Sequence, residues 1–192
     1  TRMTTIFVTH DRMEAIRLGT RLGVMNAGEI LQSGSSHEVM NHPVNEFVAS
    51  LVGVDNILKG KVIQANNGSF VASVSGHNIE VIGDVGLAEE VTLCIRAENV
   101  TLSDLASGSH LPDGNAFPAT VDKITPMGFY QKVQLNCGFP LVAFATNRTA
   151  SNLSLREGTR VLASLSTGAV HVIWGDKQRQ MKNCEICTSL AL

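Results

Sequence analysis

The stretch Val91-Thr-Leu-Cys-Ile-Arg-Ala-Glu-Asn-Val100 occurs a second time, in degenerate form, as Val161-Leu-Ala-Ser-Leu-Ser-Thr-Gly-Ala-Val170. In each copy a valine opens the stretch and another closes it nine residues later, with apolar residues at the third and fifth positions. An apolar run that ends in a short turn is typical of a strand in a small β unit. We therefore predict an internal repeat of two β units.

The segments around this repeat predict five short strands in each unit, because period-two apolar runs alternate with Asn, Gly, Asp and Pro. One short helix, over 149–155, is predicted in the second unit. Five antiparallel strands with one short helix are the plan of a Greek-key barrel of the OB type. The predicted strands are 59–65, 70–74, 79–82, 91–96, 100–102, 118–124, 130–135, 141–145, 160–165 and 170–174.

The first third of the chain alternates predicted strands and helices instead. Thr5 to Thr9 is a β-branched run typical of a buried parallel strand, and Asp11 can cap the helix that follows. A hairpin over 21–32 and two short helices complete this part. The predicted fold is mainly β, with tandem OB-like barrels after a partial α/β segment. The predicted domains are 1–55, 56–105 and 115–175, with a linker at 106–114 and a tail at 176–192.

The composition excludes several classes of function. Fifteen basic and 17 acidic residues give a formal charge of -2, without the clustered basic excess that nucleic-acid binding needs. Every apolar run is interrupted well before the ~20 residues of a membrane-spanning helix, and the first residues lack the apolar core of a signal peptide. We therefore expect no nucleic acid, no direct membrane insertion and a cytoplasmic location.

The four cysteines do not form a disulfide framework or a predicted metal site. Cys94 and Cys137 are interpreted as small buried apolar residues of the β region. Cys184 and Cys187 form a lone C-x-x-C motif, and no second ligand pair has the spacing that zinc requires. We expect a frayed C-terminal tail there.

The sharpest local feature is Thr9-His10-Asp11 at the end of the first predicted strand. A His at the carboxyl end of a parallel strand lies where α/β folds place residues that contact ligands, although a surface His beside a helix cap is the alternative. The run from Thr5 to Ala15, followed by 21–30 and 45–49, resembles the last part of the ATP-binding subunit of ABC importers. The resemblance implies that His10 is the switch histidine, which contacts the ATP γ-phosphate in a complete subunit.

Other parts of that ATPase have no counterpart in this sequence. A Gly-x-x-x-x-Gly-Lys-Ser/Thr loop, an apolar strand ending in Asp-Glu and a Ser-Gly-Gly-Gln signature are not found. Phosphoryl transfer depends on these parts for positioning and charge stabilisation. We therefore expect no enzyme activity and no cofactor in this chain alone, whereas the full-length family uses ATP and Mg.

The β region resembles the TOBE domain of these ATPases, and its second half resembles the molybdenum-binding Mop module over 115–173. The resemblance implies molybdate or tungstate as ligand, held by hydroxyls and backbone N–H groups. The module usually begins Ser-Ala-Arg-Asn, where this chain has 112–115, and its usual Lys is Ser166 here. The ligand positions carried over are Thr149, Ala150, Ser151, Ser166, Thr167 and Gly168.

Taken together, the resemblance implies the C-terminal regulatory part of a molybdate or tungstate importer ATPase, in which a homodimer senses the oxyanion. Its partner in the full system is the membrane permease, at the inner face of the cell membrane. Two alternatives stay open. The β region is a purely structural dimerisation module, or it belongs to an importer of sulfate, sugar or polyamine.

Overall fold

The computed structural model describes residues 4–84, 90–105 and 114–174. Contacts divide the chain between Gly53 and Val54 into two compact units, here called unit 1 and unit 2, and each is described by itself. Cys184, Cys187 and the rest of the predicted tail lie outside the described residues.

Unit 1 contains three short helices and one antiparallel hairpin. Asp11 caps the first helix as predicted, since its Oδ1 accepts a hydrogen bond from the backbone N–H of Met13 at 2.7 Å. The hairpin pairs Arg21 with Ser35 and closes at Asn26 and Glu29, which confirms the predicted turn. The elements are α1 (Arg12–Leu18), β1 (Arg21–Asn26), β2 (Glu29–Ser35), α2 (Ser36–Asn41) and α3 (Glu46–Leu51).

The predicted strand from Thr5 to Thr9 is wrong, because its described residues adopt no regular structure. Ile6 and Val8 are 90% and 87% exposed. A strand needs a neighbour for its backbone N–H and C=O groups, and in the described part of unit 1 the only paired strands are β1 and β2. An apolar pattern alone cannot supply that neighbour.

The described part of unit 2 consists of strands, one short helix and 3-10 turns that include Ala97–Asn99 and Thr167–Ala169. All ten predicted strands are present, and the predicted helix is confirmed two residues earlier than expected. The elements are β3 (Asn56–Asn66), β4 (Ser69–Val74), β5 (His77–Ile82), β6 (Glu90–Ile95), β7 (Thr101–Asp104), β8 (Gly114–Pro126), β9 (Tyr130–Asn136), β10 (Pro140–Thr146), α4 (Asn147–Asn152), β11 (Arg160–Ser166) and β12 (Val170–Trp174).

The strands of unit 2 form two five-stranded sheets that exchange their last strands. The first sheet has the order β12-β6-β3-β4-β5, and the second has the order β10-β9-β8-β11-β7. Thus β7 leaves the first half of unit 2 to pair with β11, and β12 returns from the second half to pair with β6. The predicted division into two sequential β units does not anticipate this exchange.

The registers confirm the internal repeat. Thr101 pairs with Ser164 and Leu102 with Ala163, where β7 meets β11. The same pairing recurs at positions shifted by seventy residues, where β12 meets β6. There His171 takes the place of Thr101 and pairs with Cys94, and Val172 takes the place of Leu102 and pairs with Leu93. The two halves of unit 2 therefore share one topology and one register.

One apolar core joins the two halves. Phe70 and Leu93 from the first sheet and Leu135 and Leu165 from the second belong to the same cluster of buried side chains. Burial of a side chain of this size contributes roughly 1.5–3 kcal/mol. Because both sheets contribute to one cluster, they stabilise each other rather than forming two separate cores.

Candidate functional site

The first group of predicted ligand residues, Thr149 to Ser151, lies in helix α4 directly after β10. Thr146 caps this helix, since its Oγ1 accepts a hydrogen bond from the backbone N–H of Thr149 at 3.1 Å. The Thr146 and Thr149 hydroxyls are also 2.9 Å apart. Ser151 Oγ donates to the Asn147 carbonyl at 2.9 Å, and Ala150 is buried. In this structure the hydroxyls of this group serve the helix itself.

The second group lies at the end of β11 and in the 3-10 turn Thr167–Ala169, here called the second turn. Ser166 and Gly168 are exposed, and Thr167 is buried. A Cβ placed on Gly168 meets only the Cδ1 of Ile82, at 3.8 Å, so one side of this backbone is open. The end of β11 and the second turn thus offer the hydroxyl of the exposed Ser166 beside accessible backbone, which suits an anion.

The structure does not place these two groups beside the same strand. Helix α4 packs on β10 and β9 of the second sheet, whereas the second turn packs on β5 of the first sheet. Both β5 and β10 are outer strands, but of different sheets. Within one chain, the six predicted residues therefore form two groups that pack on different sheets, here called the candidate half-sites.

A shallow groove beside α4 brings together polar residues that the sequence analysis missed. Gln131, Ser154 and Arg156 line it together with Ala150 and Ser151. The loop after α4 is held in place because the backbone N–H of Arg156 donates to Thr159 Oγ1 at 3.0 Å. No motif in the sequence marks Gln131 or Arg156, since they become neighbours only through the fold.

Two buried asparagines fix the edges on which the half-sites lie. Asn56 is 3% exposed; its Nδ2 donates to the Val142 carbonyl at 3.0 Å, and the Val142 N–H donates to its Oδ1 at 2.6 Å. Asn115, 6% exposed, makes the equivalent bonds to Glu80. Its Nδ2 donates to the Glu80 carbonyl at 2.9 Å, and the Glu80 N–H donates to its Oδ1 at 2.7 Å. Asn56 is the first residue of β3 and Asn115 is the second residue of β8, and each side chain binds the outer strand of the other sheet. The sequence pointed to only one of them, since only Asn115 matches a residue of the Ser-Ala-Arg-Asn start of the Mop module.

An ion pair anchors the first residues of unit 2. Lys132 Nζ lies 2.8 Å from Asp55 Oδ1, and the carboxylate is the more buried partner. Asp55 directly precedes the clamp residue Asn56, and Lys132 lies on β9 next to Gln131 of the groove. The pair therefore ties the start of β3 to the strand that lines the groove.

The remaining candidates do not add chemistry to this region. His10 is exposed in unit 1 at the bend before α1. Burial, with a smaller contribution from Asp122, raises the pKa of the Cys137 thiol to about 12, so it stays protonated and unreactive at neutral pH. Residues 4–84, 90–105 and 114–174 contain no cluster of three or more potential metal ligands. The helices in these ranges are too short to cross a membrane.

Comparison with known proteins finds a matching domain model and similar proteins. Residues 93–173 match the TOBE domain model. The chain is 35% identical over 170 residues to the molybdate/tungstate import ATP-binding protein WtpC of Pyrococcus horikoshii, covering 88% of this chain and 47% of that protein. It is 32% identical over 174 residues to the protein of the same name from Pyrococcus abyssi, with the same two coverages. The chain thus spans about half the length of these relatives.

A solved structure gives an independent view of the fold. The cytoplasmic molybdate-binding protein ModG, with molybdate bound, superposes with a TM-score of 0.59 at 21% sequence identity. The match covers 64% of this chain and 98% of that one. The predicted OB-like, mainly β class is confirmed by this likeness.

Proposed function

We propose that this chain, a relative of the molybdate/tungstate import ATP-binding proteins that carries a TOBE domain, is the regulatory C-terminal part of such a subunit. The observation that carries this proposal is the 35% identity over 88% of the chain, together with the TOBE match over residues 93–173. The likeness of the chain to ModG with molybdate bound supports an oxyanion as the ligand. In a complete subunit, other parts bind ATP and Mg, His10 acts as the switch histidine, and the membrane permease is the partner at the inner face of the membrane.

The separation of the two half-sites supports a site shared between two copies. Thr149 to Ser151 lie beside β10, and Ser166 to Gly168 lie beside β5. A homodimer that places α4 of one copy opposite the second turn of the other brings both groups onto one oxyanion. Hydrogen bonds to an ionised acceptor are about twice as strong as neutral ones, so a few convergent N–H and O–H donors suffice.

Regulation follows from the shared site. An oxyanion bound between two copies stabilises the arrangement in which both half-sites face each other. It changes transport only if its affinity differs between the two arrangements of the subunits. Bound oxyanion then biases the ATP-binding domains of the importer through the dimer contact.

The test is isothermal titration of the chain with molybdate, tungstate and sulfate, together with its mass in solution. We expect a dimer that binds the first two at micromolar levels. Thr167→Val removes one hydroxyl at constant volume and is expected to weaken binding about tenfold, as for one charge-assisted hydrogen bond. Thr120→Val, on β8, is the matched control and is expected to bind as the wild type does.

A purely structural dimerisation module is the second candidate, and one observation favours it. The Thr149 and Ser151 hydroxyls already make hydrogen bonds within α4 and its cap. This candidate predicts a stable dimer that binds no oxyanion and whose mass does not respond to any of the three salts. Tight binding of sulfate instead of molybdate points to a TOBE domain of another importer.

A further inference from the structure

A large exposed apolar side chain lies beside each candidate half-site of unit 2. Phe129, at the tip of the hairpin that joins β8 to β9, is 94% exposed. This tip is held to α4, because Asn147 Nδ2 donates to the Gly128 carbonyl at 3.2 Å. Ile82, at the end of β5, is 60% exposed, and its Cδ1 lies 3.8 Å from a Cβ built on Gly168 of the second turn. Aromatic side chains are enriched in the cores of protein interfaces.

The α4 side of unit 2 also carries positive charge. Arg148 lies in α4, and Arg156 lines the groove beside it. Both side chains are exposed, and neither forms an ion pair with another described residue. Glu157 follows Arg156, so two guanidinium groups and one carboxylate leave this region net positive. Phe129, Arg148 and Arg156 are here called the helix face.

The side of unit 2 that carries the second turn has the opposite charge. Ile79 and Val81 are fully buried, so Glu80 and Ile82 lie on the outer side of β5. Asp84 follows two residues after Ile82 and is also exposed. Neither carboxylate forms an ion pair within the described part of the chain. Glu80, Ile82 and Asp84 are here called the strand face, which has an apolar residue between two acidic ones.

We propose that the helix face of one copy docks on the strand face of a second copy. Phe129 then covers the partner's Ile82, and the two guanidinium groups lie opposite the two carboxylates. This inference rests on the dimer of the proposed function, and it names the residues that hold that dimer together. The two faces complement each other in charge, whereas two helix faces or two strand faces repel each other. A dimer with two-fold symmetry makes the contact twice.

The test is the dimer dissociation constant, measured by sedimentation velocity on the full chain and its variants. Arg148→Glu/Arg156→Glu reverses the charge of the helix face, and Glu80→Lys/Asp84→Lys reverses that of the strand face. We expect each variant alone to have a dissociation constant raised about a hundredfold or more, because both contacts then oppose like charges. An equimolar mixture of the two variants is expected to recover the wild-type constant within about threefold, since both contacts of the mixed dimer again pair opposite charges.

Two further variants separate the apolar contact from general effects of charge. Phe129→Ser removes a ring that adds little to the fold, since it is almost fully exposed. It is expected to raise the dissociation constant about a hundredfold or more, because the ring is buried twice in each dimer. Arg17→Glu/Arg21→Glu, at exposed positions of unit 1, makes the same change in net charge as the helix-face variant and is expected to dimerise as the wild type does. Urea unfolding of every variant checks that the fold is retained.

The possible outcomes separate this inference from the proposed function. A face variant that dimerises like the wild type, or a mixture that does not recover the wild-type constant, overturns the docking of the two faces. A wild-type chain that stays monomeric with and without molybdate overturns both the docking and the shared site, and leaves the two faces to a different protein. A wild-type dimer that binds no molybdate in isothermal titration, but whose variants behave as expected, refutes the oxyanion function and supports the docking.

Discussion

Replacing Asn56 by Ala removes a clamp between the two sheets of unit 2 without touching the apolar core. The Asn56 side chain is almost fully buried and holds both backbone polar groups of Val142, at 3.0 and 2.6 Å. It also donates to the carbonyl of Ile95 at 3.1 Å. In Asn56→Ala the N–H and C=O of Val142 lose these partners on a strand that is half-buried.

The cost of this change can be worked out from the groups left unpaired. A buried donor or acceptor without a partner costs about 1–3 kcal/mol, and two such groups arise on Val142, while the Ile95 carbonyl loses a third bond. Because Val142 lies on an outer strand, where water reaches part of the backbone, the lower half of the range applies. We expect Asn56→Ala to lower the free energy of unfolding by about 2–4 kcal/mol. The pseudo-equivalent Asn115→Ala removes the same pair of bonds from Glu80 and is expected to cost the same.

Urea unfolding, followed by far-ultraviolet circular dichroism, measures both costs. Asn78→Ala, at an exposed position on β5, is the matched control, with an expected change within about 0.5 kcal/mol. If Asn56→Ala behaves like this control, the clamp does not stabilise the sheets. If the two clamp variants differ more than about threefold in cost, the equivalence of the two halves does not extend to their energetics.

Three further changes test the packing of unit 2 by the same unfolding assay. Lys132→Met leaves the half-buried carboxylate of Asp55 without its partner. We expect it to lower the free energy of unfolding by about 1–2 kcal/mol, a cost between those of an exposed and a buried ion pair. An unchanged free energy of unfolding argues against a stabilising role of this pair. Cys137→Ala should flatten the pH dependence of the free energy of unfolding above about pH 9. The wild type loses stability there as the pH rises, because the unfolded thiol ionises while the folded thiol keeps its proton up to a pKa of about 12. Equal slopes in the two proteins contradict this. Gly138→Ala should lower the free energy of unfolding more than Gly68→Ala does. Both glycines have positive φ, but only at Gly138 does the added Cβ clash with a side chain, the imidazole of His77. The reverse order refutes the close packing of Gly138 and His77.

The strands and the repeat were predictable because their signals are local. Each strand of unit 2 carries a period-two or continuous apolar pattern between turn residues, as in Phe70 to Val74. The cap of α1 and the turn of the first hairpin likewise depend on a few adjacent residues, Asp11 and the run from Asn26 to Glu29. These features were confirmed for that reason.

The pairing partners were not predictable from these signals. Val170 to Trp174 and Thr101 to Asp104 are both short strands, and nothing in their residue types distinguishes β6 from β11 as a neighbour. The failure at Thr5 to Thr9 has the same origin, since an apolar run predicts a strand only where another strand is present. Pairing is a property of the whole sheet rather than of the segment.

The candidate site shows the same limit. Thr149 and Thr167 were selected by resemblance, and their role in binding stays a prediction. Their placement beside different outer strands depends on the long-range contacts of unit 2. Arg156 and Gln131 could not be linked by spacing, and no local sequence pattern marks the buried Asn56.

The exchanged strands set the order in which the protein is completed during synthesis. The first sheet needs β12, whose Val170 pairs with Ile95, so the ribosome must deliver a strand seventy-five residues later before that sheet is complete. Until then β6 presents an unpaired edge to solvent. Such long-range pairing slows folding and leaves a nascent chain open to association with its neighbours. In this protein, therefore, the nascent chain completes its first sheet only after nearly all of its second half has been made.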